Sequence, residues 1–147
     1  MKALLIKLVL ISALTSFSAV AQQAQEFGEY TVHYNALSAS LLTPEIAKAY
    51  GIRRSASRAL INVSVLKKIE GHTASAVEAK VVASGRNLTG QIRNVDMRQI
   101  KEGDDAIYYI GELSVRNMET FDFTLMVTPD GQNKPFRVKF RQQFYTE

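Results

Sequence analysis

Two histidines, His33 and His72, and no cysteine set the limit on metal chemistry in this chain. A zinc site takes three or four ligands, and without thiolates carboxylates would have to complete it. His33 falls on the polar side of the alternating run Tyr30 to Asn35, and His72 falls in the turn-like Glu70-Gly71-His72-Thr73, so both read as solvated. Glu102, Asp104 and Asp105 are clustered oxygen donors of the kind calcium takes. The D-x-D-x-D-G spacing of a calcium loop is missing, however, and a solvated turn is the expectation. Acyl transfer needs a nucleophile, a base and an orienting carboxylate. Serines are plentiful, but no G-x-S-x-G elbow is present. No catalytic, cofactor-binding or metal-ligating residue is expected, and the reading is of a protein without enzymatic activity.

The residues left with something to offer are basic. Arg137, Lys139 and Arg141 occupy alternate positions and share one face if their segment is a strand. Arg53 and Arg54, with Arg58, flank a polar stretch further up the chain. One reading is a solvated outer sheet face, or a charged edge that discourages pairing with a second chain. The other is a shallow partner-binding face of Arg137, Lys139, Arg141, Arg53 and Arg54. Its partner would be an envelope protein or an anionic envelope component such as lipid head groups or an acidic polysaccharide. Tyr108 and Tyr109 are adjacent, so they face opposite sides, one into the core and one toward a surface. Tyr30, Tyr34 and Tyr50 read as core or rim packing rather than as a sugar-binding platform.

These residues sit on a chain that alternates like a β protein. Tyr30, Val32 and Tyr34 alternate with Thr31, His33 and Asn35, as a half-buried strand does. The same period runs through Ala59 to Leu66, Val77 to Ser84, Phe121 to Thr128 and Phe136 to Arg141. Ala106 to Val115 is apolar on both faces at first, as a central strand would be. The polar segment Gln22 to Glu26 reads as a loose leader, Ser84-Gly85-Arg86-Asn87 as a turn, and Leu88 to Ile100 as irregular, with Gly90 a possible bulge. Pro129-Asp130-Gly131 is a turn. One short helix is expected at Thr43 to Gly51: Thr43 caps it, Pro44 suits its first position, Gly51 ends it, and Ile46 with Tyr50 pins it to the body. About seven strands joined mostly by short turns favour an antiparallel, immunoglobulin-like β-sandwich with one short helix.

The first residues carry an address. Lys2 and Lys7 give a positive start, Leu4 to Leu14 a short apolar run, and Ala19-Val20-Ala21 small residues where a signal peptidase cuts. The run is shorter than the ~20 residues that span a bilayer. The expectation is a cleaved signal peptide at 1–21, no transmembrane segment in the mature chain, and periplasmic residence. No cysteine follows to carry a lipoprotein's lipid. Residues 22–147 then form a single domain. Of 18 basic and 14 acidic residues, the signal holds two basic ones, leaving 16 against 14, or about +2. That balance gives no electrostatic case for nucleic acid.

Several segments resemble those of a family of small exported proteins of Gram-negative bacteria, catalogued as domain of unknown function 4426. They are Phe27-Gly28-Glu29-Tyr30-Thr31-Val32-His33-Tyr34-Asn35, Leu42 to Ile52, Asn87-Leu88-Thr89-Gly90-Gln91, Ala106-Ile107-Tyr108-Tyr109-Ile110 and Val138 to Tyr145. The resemblance covers essentially the whole mature chain. It implies a periplasmic β-rich protein, and it implies no activity and no functional residues.

Overall fold

The computed structural model describes residues 23–147; the expected signal segment, 1–21, lies outside them. In chain order these residues form β1 (Gln23–Phe27), β2 (Tyr30–Ser38), a 3-10 turn (Ala39–Leu41), α1 (Pro44–Tyr50), β3 (Arg58–Lys67), β4 (Ser75–Ala76), β5 (Ala79–Asn87), β6 (Ile92–Val95), β7 (Arg98–Glu102), β8 (Ala106–Ser114), β9 (Glu119–Pro129) and β10 (Phe136–Phe144). All strand pairs are antiparallel. One sheet has the order β1-β2-β3-β8-β7 with β4 added to β3; the other runs β10-β9-β5-β6. This is the expected two-layer antiparallel architecture, built from ten strands among the described residues rather than about seven.

Alternation decides which residues lie between the layers. In β9, Phe121, Phe123, Leu125 and Val127 are buried while Asp122 faces out. Val32 of β2 and Ile61, Val63 and Val65 of β3 join the same core from the other sheet. Each such side chain contributes about 1.5–3 kcal/mol when removed from water. With no disulfide available, this burial must hold the layers together. Aromatic rings clasp them along one side: Phe27 stacks on Phe136 at 4.5 Å, and Tyr34 meets Phe140 at 4.9 Å.

The helix starts and stops where its caps require. The Thr43 hydroxyl accepts a hydrogen bond from the Ile46 amide, Pro44 opens the first turn, and Gly51 takes a left-handed φ of +65°. Its contact face differs from expectation. Ile46 is exposed, and Ala47 and Ile52 are buried instead, packing the segment toward Leu60 and Ile110 on the outer side of the six-stranded sheet. Spacing of four suggested Ile46 with Tyr50; the helix is rolled so that Ala47 and Tyr50, three apart, face the sheet, which a pair three apart does equally well.

Three other expectations are corrected. The described part of the polar leader, Gln23 to Glu26, is within strand β1, because backbone pairing with β2 needs no apolar pattern. Gly28, at φ +60°, makes the two-residue turn between them. Ser84 to Asn87 is not a turn but the end of β5: a Cβ on Gly85 would lie 2.9 Å from the Phe123 ring and 3.1 Å from the Phe121 ring. Glycine is there to admit two phenylalanines. The turn follows at Leu88 to Gln91, where the Asn87 carboxamide oxygen accepts from the Thr89 hydroxyl and the Gln91 amide, both at 2.8 Å. Gly90 sits in that turn at φ +89° rather than in a bulge.

β3 and β5, consecutive long strands in the chain, lie in different sheets. Between them only the dipeptide β4 pairs with β3, and the chain then crosses to the other sheet. It returns between β6 and β7 over Gly111, where a Cβ would meet Val95 Cγ1 at 2.5 Å and Met97 Sδ at 2.6 Å.

Candidate functional site

The outer face of the four-stranded sheet gathers cations from two strands, β10 and β5. β10 projects Arg137, Lys139 and Arg141 outward, between the inward Val138 and Phe140. The register then sets their neighbours in rows. Arg137 lies opposite Met126, which lies opposite Val82; Lys139 opposite Thr124, then Ser84; Arg141 opposite Asp122, then Arg86. Lys80 of β5 continues the same face opposite Thr128. Five cations thus share this face with one carboxylate, and Arg141, Arg86 and Lys139 are the ones near it. A depression of about 500 Å³ lies among Arg86, Asp122, Thr124, Lys139 and Arg141.

Asp122 belongs to Arg141. The guanidinium donates from Nε to Oδ1 at 2.7 Å and from Nη2 to Oδ2 at 3.0 Å, the two-pronged geometry that fixes both groups. These bonds, together with the positive charges of Arg141, Arg86 and Lys139, hold the Asp122 carboxyl below its ordinary pKa against a smaller opposing effect of desolvation. The other four cations, Lys80, Arg86, Arg137 and Lys139, have no ion-pair partner among the described residues. Segregation of this kind exceeds what the near-neutral composition requires: the face carries about +4 while residues 22–147 together carry about +2.

The other candidates lie elsewhere. Arg53 and Arg54 follow α1, over the outer side of the opposite sheet, so the fold does not bring them to Arg137, Lys139 and Arg141. Arg54 donates from Nε to the Leu42 carbonyl at 2.8 Å, a local tie across the helix. Tyr109 and Tyr108 part as adjacent strand residues must. Tyr109 is buried, its hydroxyl accepting from the Ala79 amide at 2.8 Å, and Tyr108 lies half-buried on the outer face. Asp104 and Asp105 are exposed in the turn after β7, as is His72 after β3, and no group of three or more potential metal ligands converges among the described residues.

Lys80, Arg86 and Asp122 were not among the sequence candidates. The signal for Lys80 was its place next to the inward Val81 in an alternating strand. For Arg86 and Asp122 it lay in the register of three strands, which no local pattern encodes.

The sequence profile of domain of unknown function 4426 matches residues 24–147. The chain belongs to this family. A crystal structure of a DUF4426 family protein from Pseudomonas aeruginosa PAO1 is similar at 31% identity with a TM-score of 0.73, over 88% of this chain and 98% of that one. No curated protein matches. The DUF4426 fold thus spans every strand described above, and the cationic face is built on its four-stranded layer. No helix among the described residues of this DUF4426 chain is long and apolar enough to cross a membrane.

Proposed function

We propose that this protein is a non-enzymatic interaction module of the periplasm. In this reading it presents the outer face of its four-stranded sheet to an anionic component of the cell envelope, a surface of phosphate or carboxylate groups. One observation carries the reading: Lys80, Arg86, Arg137 and Lys139 share one sheet face unpaired, and the one carboxylate there is already held by Arg141. Like charges so placed repel one another, and a partner of opposite charge relieves that repulsion while steering the encounter.

The array extends about 20 Å along the strands, from Lys80 to Arg86, and about 10 Å across them. That shape suits repeated anions on a surface. Protection of an exposed strand edge is the competing account, since β10 is an edge strand. It explains charge on β10 alone and leaves Lys80 and Arg86, two strands inward, without a role. The export pattern of Lys2, Lys7, the apolar run and Ala19-Val20-Ala21 supports the compartment.

A photo-crosslinking side chain in place of Thr124, at the centre of the face, tests this in cells. Adducts with an envelope component are expected from that position and not from exposed Glu70. Equal adducts from both positions, or retention of the protein in the cytoplasm, would contradict the reading.

A further inference from the structure

The outer face of the six-stranded sheet is only half covered. The 3-10 turn and α1 close one end over Leu37, Leu60 and Ile110. Beyond them the face stays open, in a depression of about 280 Å³ lined by His33, Ser64, Leu66, Asp105, Ala106 and Tyr108, among others. His33 lies directly opposite Ser64, and Asn35 opposite Asn62, on adjacent strands. The register that sets Val63 opposite Tyr109 brings Tyr108 beside Ser64 in the next position. A row of His33, Ser64 and Tyr108 therefore crosses β2, β3 and β8, with Asn35 and Asn62 alongside.

These five polar side chains are all half-buried. None of them takes part in a side-chain hydrogen bond among the described residues. The Asn62 Oδ1 atom is fully buried without a partner. Polar groups withdrawn from water are normally paired, so the orphaned Asn62 oxygen, beside a half-buried row with no partners among the described residues, marks a face where something else supplies bonds.

The lining says what that occupant is. Its lining offers donors and acceptors in His33, Ser64 and Asp105, and apolar surface from the Tyr108 ring, Leu66, Ala76, Ala106 and Ile107. No lysine or arginine lines it and Asp105 does, which disfavours phosphates and carboxylates. One histidine and one carboxylate fall short of a metal's ligand set. The volume lies just below the range for drug-sized ligands and leaves room for one ring rather than a chain. The geometry points to a binding site for a single neutral sugar ring, whose C–H face meets Tyr108 and whose hydroxyls reach His33, Ser64 and Asp105. This site is on the opposite side of the molecule from the cationic face and does not depend on it.

Glucose, galactose and N-acetylglucosamine are titrated separately into the isotope-labelled mature protein, and amide shifts are followed. At least one sugar is expected to give saturable shifts in the millimolar range at His33, Ser64, Ala106 and Tyr108. Tyr108→Ala is expected to weaken binding at least tenfold, and Arg137→Glu with Lys139→Glu to leave it unchanged. If Tyr108→Ala fails to fold, Ser64→Leu, which fills the depression while keeping its walls, is expected to give the same loss. Overturning results are no saturable shift with any of the three sugars, shifts that survive whichever variant folds, or stronger binding of inorganic phosphate at the same residues. Concentration-dependent shifts of these residues without sugar would assign the face to a second copy of the chain and overturn the proposal equally.

Discussion

Arg141 and Asp122 face each other across β10 and β9 and share two hydrogen bonds, at 2.7 and 3.0 Å. The pair consumes the one carboxylate on the cationic face. Its first consequence concerns titration. Hydrogen bonding to Arg141 lowers the Asp122 pKa from 3.8. A carboxylate with a depressed native pKa contributes stability above its unfolded pKa and loses it as pH falls through the native value. Both groups are solvent-exposed, so that contribution is small. NMR titration of the side-chain carboxyl should give a midpoint below 3.8, and Arg141→Gln should move it upward. A midpoint that Arg141→Gln leaves in place would mean that the pair does not persist in solution.

The same pair predicts a gain of function. Asp122→Asn removes the acid and frees Arg141, so the face becomes more positive without losing a cation. Affinity for an anionic surface should rise several-fold and become more sensitive to salt, measured by co-sedimentation with phosphatidylglycerol vesicles. Weaker binding by Asp122→Asn would show that the carboxylate itself is needed for recognition.

The core assignments carry a cost for misplaced charge. Val63 is fully buried between the sheets. Val63→Asp should destabilise the domain by about 3 kcal/mol or more, because an unpaired carboxylate is taken out of water. An unchanged thermal midpoint would contradict the inner face of β3.

Three glycines separate two physical causes. Gly111→Ala forces a Cβ within 2.9 Å of Val95, Met97 and the Asp96 carbonyl oxygen. It should cost about 1–3 kcal/mol through overpacking, as should Gly85→Ala against the Phe121 and Phe123 rings. Gly28→Ala meets no atom within 4 Å but must hold φ +60°, and should cost about 1 kcal/mol from the backbone alone. Equal thermal midpoints for Gly111→Ala and the wild type would mean that the crossing between β6 and β7 lies away from β8.

These glycines also mark where sequence reading stops. Residue types alone located β2, β3, β8, β9 and β10, because each alternates or runs apolar over six or more residues, and located α1 through Thr43, Pro44 and Gly51. Local period assigns a face to each residue and no partner to any strand. The crossings at Val77-Glu78 and Asp96-Met97 were therefore invisible, and Ser84-Gly85 imitated a turn although Gly85 makes room for rings from β9. Likewise, β1 lacks an apolar stripe and is held by pairing with β2. Half of the candidate face, Arg137, Lys139 and Arg141, was legible as alternate residues on one strand. Lys80, Arg86 and Asp122 join it only through register, and Arg53 and Arg54 leave it because α1 packs on the other sheet.

The central claim is that the four-stranded sheet binds anions through its unpaired cations. Its most direct test is the affinity of the mature protein for phosphatidylglycerol vesicles, compared with Arg137→Glu plus Lys139→Glu, which spares the Arg141–Asp122 pair. The account predicts wild-type binding that weakens steeply with salt, and at least tenfold weaker binding by the double variant at an unchanged melting temperature. Equal, salt-insensitive binding by the two proteins would contradict it.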